Sequence, residues 1–227
     1  MPEVLAIPGT LCAPRVFDRL AERLAGEVAV TGVSWLTEPG PWDVPTVAER
    51  IVRRYPEPGV VLGHSTGGAI ALQLAIAYPA RVRGLVLVNT GANMHGHGDA
   101  ERIIATMQEG WGPDLHAALI DRSFATPIEP VDRAALLGYA AGVPAAAALG
   151  VLRSQRDLDA APRLGEIRCP VTVVHGVLDK ARTVEHANEL VGGIPDARLC
   201  LVQTGHTPVY EAPDEVANEV RALIGRL

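Results

Sequence analysis

The chain has 227 residues, 48% hydrophobic and 20% charged, with a formal net charge of −6. That length fits one domain, and that apolar fraction excludes a disordered chain. The acidic balance and the lack of any basic block longer than Arg53-Arg54 argue against a nucleic-acid surface. Only 4% is aromatic, so Val, Leu, Ile and Ala must fill the core.

In chain order, residues 4–7 form a short apolar run stopped by Pro8-Gly9, which predicts a strand. Val16, Leu20 and Leu24 recur at a helical spacing. Residues 28–33 predict a second strand and 44–55 a helix. Residues 59–62 predict a third strand running into Gly63, followed by an Ala/Leu/Ile-rich helix over 65–78 that Pro79 ends. Residues 84–88, 171–175 and 198–202 complete the strands. These are continuous apolar runs rather than alternating ones, as expected where helices cover both faces of a parallel sheet. The expected fold is α/β: a doubly wound, mostly parallel sheet of about six strands.

From residue 91 to 163 no strand is legible. Helix-like pieces near 99–109, 114–122, 130–141 and 144–155 are punctuated by Pro113, Pro127, Pro130 and Pro144. One crossover needs one helix, so this stretch predicts an α-helical cap, with residues 1–90 and 164–227 as the core. Trp111, Phe124 and Tyr139 fall in the cap, and Met94 at its start. They are candidates for lining a substrate pocket, although the aromatics serve equally well to hold cap helices together.

Cys12, Cys169 and Cys200 form no C-x-x-C and are odd in number, so no disulfide framework is implied. Cys12 reads as a small buried residue rather than a nucleophile. There is no basic, then apolar leader pattern and no apolar run of about 18 residues. The expectation is a cytoplasmic protein without membrane contact. His95-Gly96-His97 lacks a third ligand at a clear spacing, so no metal is expected there.

Gly63-His64-Ser65-Thr66-Gly67 fits G-x-S-x-G, for which composition predicts only about 0.04 chance matches. A predicted strand precedes it and a predicted helix follows it. That context places Ser65 on a sharp turn with the helix N-terminus beside it. The rival reading is a phosphate loop, but neither a Walker lysine nor a G-x-G-x-x-G is present. A serine needs a base to take its proton. His206 follows the last strand in Gly205-His206, and Asp179 follows the strand before it. Both therefore reach the same sheet edge as Ser65. The order 65, 179, 206 is that of a Ser–Asp–His triad on a parallel sheet. Asn89 occupies the other strand end from which an acid could come, which favours Asp179. His64 is expected to support the turn and His175 to be structural. Oxyanion donors are expected from the backbone of Thr66 and of Thr10, with Leu11 the alternative in the Pro8–Cys12 loop and a candidate for substrate contact.

These motifs resemble those of the α/β-hydrolase superfamily, and more closely its small, capped esterase and lactonase-like members. Gly63-His64-Ser65-Thr66-Gly67-Gly68 resembles the family elbow, and Tyr78-Pro79-Ala80-Arg81-Val82 the segment before the next strand. Ile167 to Val171 with His175-Gly176 and Asp179 is similar to the acid strand, and Gly205-His206 with Glu211-Ala212-Pro213 to the C-terminal region. The resemblance covers nearly the whole chain. It implies a Ser–His–Asp enzyme with a helical cap and no metal or organic cofactor. The family's usual His-Gly in the oxyanion loop is Pro8-Gly9 here, and since the first recognisable strand begins near residue 3, the sheet is expected to lack the two earliest family strands.

The expectation is a serine hydrolase that cleaves an ester or related acyl bond, such as a thioester or lactone, of a small or mid-sized, partly apolar metabolite. Its partner is a small-molecule substrate, and the chain is a monomer or homodimer. Two other readings stay open. One is a biosynthetic lyase or acyltransferase using His206 as base, for example to eliminate acetate. The other is a hydrolase scaffold used only to bind a ligand.

Overall fold

The computed structural model describes residues 1–57 and 59–227. In chain order come β1 (Glu3–Ile7), α1 (Asp18–Leu24), β2 (Ala29–Gly32), α2 (Val44–Arg54), β3 (Gly59–His64), α3 (Thr66–Ala77) and β4 (Val82–Val88). Four helices follow: α4 (Ala100–Gly110), α5 (Pro113–Arg122), α6 (Pro130–Ala141) and α7 (Ala145–Asp157). The chain then returns through β5 (Val171–Gly176), α8 (Val184–Gly193), β6 (Ala197–Val202), α9 (Pro208–Glu211) and α10 (Pro213–Ile224).

The strands form one sheet in the order β2-β1-β3-β4-β5-β6, and every pair is parallel. Parallel pairing requires crossovers, so all strand ends that carry chemistry reach one edge. Register locks Ala6 beside Leu62, Leu62 beside Val86 and Val86 beside Thr172. The central runs are buried on both faces: Leu62 and residues 85–88 are fully inaccessible. At the outer strand β6 the pattern breaks and Leu201 is exposed, because an edge strand is covered less completely.

Helices α1 and α10 form one layer, and α2, α3, the 3-10 turn Ala161–Glu166 and α8 the other. Local sequence explains several of these elements. Asp43 caps α2 by accepting from Thr46 N at 2.9 Å, and Val44, Val47, Ala48 and Ile51 give that helix one buried stripe. Helix α3 is apolar all round because it lies between the sheet and α2. Truncating a fully enclosed core leucine such as Leu62 to Ala would cost about 3 kcal/mol.

Helices α4 to α7 occupy the strand-free stretch between β4 and β5. Ile104 and Met107 of α4 meet Ala148 and Leu152 of α7 in a small apolar cluster of their own. Ile120, Leu136, Ala140 and Val151 instead join the main core, so these helices are rooted in it. Among the described residues no single helix is long and apolar enough to cross a membrane.

Candidate active site

Ser65 sits between β3 and α3 with φ +54° and ψ −121°, a conformation that costs energy for any residue with a side chain. The surroundings impose it. A Cβ on Gly67 would lie 2.0 Å from the Ile7 carbonyl oxygen, and one on Gly63 would lie 2.5 Å from the Gly67 oxygen. Only glycine lets strand, turn and helix approach this closely. Ser65 N donates to Val88 O at 2.9 Å, and Ser65 O accepts from Thr90 Oγ1 at 2.8 Å. Leu11 and Asn89 are the other non-glycine residues with positive φ among those described; Asn89 directly follows β4, and Leu11 lies in the loop after β1.

The serine hydroxyl so presented lies 2.8 Å from His206 Nε2. His206 Nδ1 donates to Asp179 Oδ2 at 2.6 Å. Asp179 has no exposed side-chain surface, and its carboxylate also accepts from Asn89 Nδ2 and Ala181 N, both at 2.7 Å. Burial alone would raise its pKa. The donors from His206, Asn89 and Ala181 outweigh burial and hold the carboxyl well below the usual range. Asp179 therefore stays ionised beside His206.

His64 donates from Nε2 to the carbonyl of His206 at 2.8 Å, which fixes the backbone behind that ring. Complete burial, and the His206 charge beside it, push the His64 pKa down to about 3, so it stays neutral. Glu211 braces the same loop. Its carboxylate accepts from Gly205 N at 3.0 Å and from Ala125 N at 2.7 Å, joining the His206 loop to the segment after α5.

Thr66 opens α3, so its N–H has no partner within the helix. Its hydroxyl donates to Gln155 Oε1 at 3.0 Å and lies 2.8 Å from the Thr10 hydroxyl. A hydroxyl has one proton, so Thr10 is the donor to Thr66. The loop after β1, the turn after β3 and helix α7 are thus linked by one chain of hydroxyls ending on Gln155.

Ser65, His206, Thr10 and Thr66 open into a cavity of about 130 Å³. Its wall is largely apolar: Ile103, Met107, Leu119, Ile120, Leu136 and Leu152, supplied by α4 to α7. Of the candidate lining residues, Leu11 and Phe124 face this cavity. Met94, Trp111 and Tyr139 do not, which corrects the expectation. Met94 is buried in a separate cleft behind α3 with Leu72 and Ile76. Trp111 stands edge-on to His116, 4.7 Å between ring centres, and holds α4 against α5. Tyr139 packs on the main core with its hydroxyl near Ser34 and Thr37. Cys12 also faces the cavity, but burial pushes its thiol up to about 12, so it is no thiolate. A larger cavity of about 430 Å³ lies near Glu3, Tyr55 and Arg81 and includes none of Ser65, His206 or Asp179.

Sequence reading missed four polar residues here. Asn89 was legible only as the acid that β4 does not supply. Glu211 was legible only as part of a motif. Gln155 carried no signal and His97 was legible only as half of a His-x-His pair, because their partners are distant in the chain. His95 is exposed whereas His97 turns into the cavity, so the two imidazoles diverge.

A model of the alpha/beta hydrolase family matches residues 4–219. A pimeloyl-acyl-carrier-protein methyl ester esterase of Chromobacterium violaceum is 28% identical over all of this chain and 94% of its own length. The polyketide synthase ThaQ of Burkholderia thailandensis is 31% identical over 90% of the chain, which spans only 11% of that much longer protein. Among solved structures, the enol-lactonase of Burkholderia xenovorans superposes with a TM-score of 0.88 at 18% identity, covering 99% of this chain and 92% of that one. At that identity the likeness concerns the fold.

Proposed function

The chain belongs to the alpha/beta hydrolase family, and from that premise we propose that it is an esterase-type serine hydrolase acting through Ser65, His206 and Asp179 on an ester with a small or mid-sized, partly apolar acyl group. The observation that carries this reading is the unbroken line of hydrogen bonds from Ser65 Oγ through His206 to Asp179, opening into an apolar cavity. The esterase relative takes an acyl–oxygen bond by name, which supports the same class.

In this mechanism His206 Nε2 takes the Ser65 proton as Oγ attacks the ester carbonyl. Asp179, ionised and buried, holds the ring by Nδ1 and stabilises the imidazolium that forms. The N–H groups of Thr66 and Thr10 receive the oxyanion, with the Gln155 hydroxyl chain keeping their two loops together. The protonated His206 gives its proton to the leaving alkoxide. Water, deprotonated in turn by His206, then releases the acyl group from Ser65.

The test is labelling by a fluorophosphonate probe with peptide mapping, alongside hydrolysis of p-nitrophenyl esters. Ser65 should carry the label, and Ser65→Ala should lose at least about 10³-fold in kcat. A folded Ser65→Ala protein with undiminished hydrolysis would overturn the mechanism. A Ser65 that stays unlabelled would favour a ligand-binding scaffold, and turnover without an acyl-Ser65 adduct would favour direct elimination.

A further inference from the structure

Gly96-His97-Gly98, between β4 and α4, has no part in the proposed reaction, yet it is firmly built. Gly96 (φ +72°) and Gly98 (φ +97°) both lie in the left-handed region, and His97 N donates to Met94 O at 3.2 Å. The turn therefore folds back on itself. Its near flank is tied down twice: His95 N donates to Asn93 Oδ1 at 3.0 Å, and His186 Nε2 donates to His95 O at 2.9 Å. The outcome of this bracing is that His97 lines the cavity alongside Ser65 and His206.

Within the cavity His97 Nδ1 bonds the carbonyl of Ala181, two residues beyond Asp179. A carbonyl only accepts, so the proton of the ring is on Nδ1 and Nε2 is a bare acceptor. Nε2 is the ring's other polar atom; among the described residues no hydrogen bond reaches it, and it stays accessible. Burial, reinforced by the buried Arg182 charge nearby, pushes the His97 pKa down to about 4, so the ring is neutral at pH 7. Close to it in the chain, Ile103 and Met107 supply apolar wall. His97 is half-buried and its Nε2 is not sealed from the cavity, so a ligand hydroxyl can take the place of water as its donor.

We propose that His97 is a specificity-determining residue that accepts a hydrogen bond from a hydroxyl on the substrate, so that the enzyme selects hydroxylated esters over plain alkyl ones. This rests on the esterase reading above. A hydroxyl suits the position better than an amide. An amide would bring a carbonyl needing its own donor, and the wall nearest His97 in the chain, Ile103 and Met107, offers none, the cavity's guanidinium, Arg122, standing at the end of α5. A metal ligand role does not fit, because Nδ1 is already committed and His95 points elsewhere.

The hydroxyl could lie on the acyl side or on the leaving alcohol, and two matched pairs distinguish these. One pair is methyl 3-hydroxybutanoate against methyl butanoate. The other is 2-hydroxyethyl butanoate against propyl butanoate. Wild type should prefer the hydroxylated member of one pair by about tenfold or more in kcat/KM. His97→Phe should remove that preference by lowering kcat/KM for that member alone, and His97→Gln, which keeps an acceptor oxygen, should restore part of it. No preference in either pair overturns the proposal, as does an equal loss on both members in His97→Phe. Hydrolysis without preference sinks only the role of His97. A wild type that hydrolyses none of the four and leaves Ser65 unlabelled sinks the esterase reading, and this proposal with it.

Discussion

Asn89 donates its side-chain N–H to Asp179 Oδ2 at 2.7 Å. Its oxygen accepts from Gly176 N at 3.0 Å, and the same Nδ2 reaches Gly205 O at 3.3 Å. One buried side chain at the end of β4 thus ties together the end of β5, the acid and the residue before His206. The backbone at Asn89 is held at φ +44°, so the position is both strained and fully enclosed. Asn89→Ala should cost about 2 kcal/mol through unpaired buried groups and lower kcat about tenfold as Asp179 loses its fixed orientation. Urea unfolding and steady-state kinetics check the two effects separately. Lost stability with unchanged kcat would leave Asn89 a purely structural role.

Glu211 tests the loop that carries His206. Its carboxylate serves Gly205 N and Ala125 N together, and burial raises its pKa against those N–H donors. Glu211→Ala leaves both N–H groups without that acceptor and should destabilise the protein by about 2 kcal/mol. Glu211→Gln keeps one acceptor oxygen and should fall between. Because Ala125 follows Phe124 at the cavity, Glu211→Ala should also raise KM for ester substrates. A Tm equal to wild type would contradict this bracing.

The acid side of stability follows from groups held in one charge state. Asp179 is depressed in the fold, so its contribution is complete above its ordinary value of 3.8 and is lost as pH falls through its lower folded value. His64 titrates near pH 3 in the fold, whereas the unfolded chain's histidines take protons near 6.5. Between those values the unfolded state binds the extra proton, so stability falls as pH drops. The slope from His64 approaches about 1.4 kcal/mol per pH unit. Stability measured in urea should be nearly level from pH 7 to 8 and decline from 6.5 to 4. His64→Asn should show a shallower decline by about one proton. An identical slope in that variant would show that His64 is not held neutral.

Leu152 supplies wall from α7, and the cavity holds about 130 Å³. Leu152→Trp should fill part of that volume and shift preference in a p-nitrophenyl ester series toward shorter acyl chains, with kcat on the acetate ester within about threefold of wild type. An unchanged chain-length profile would place the acyl group elsewhere.

Much of the frame is legible in sequence because its determinants are local. Apolar runs of four to seven residues between Gly and Pro stops mark the strands, and their continuity marks a sheet covered on both faces. Gly63 and Gly67 bracket Ser65 within five residues, so the turn is written in one short motif. Asp179 and His206 are each read from their place after a strand, since a parallel sheet brings such ends to one edge.

Side-chain direction is a different matter. Tyr139 faces away from the cavity whereas Ile103, Met107 and Leu152 face into it, because packing between α4, α5, α6 and α7 sets the rotation of each helix, and Met94 and Trp111, outside those helices, pack against α3 and α5 instead. Asn89 meets Asp179 across 90 residues of chain, and the His97 proton is placed by a carbonyl 84 residues away. The amino-acid sequence by itself determined the parallel sheet and the edge at which chemistry gathers, through local periodicity and turn sterics. Only the tertiary structure decided which polar groups are paired and which side chains line the cavity, because contacts between distant segments exist only once the strands are in register.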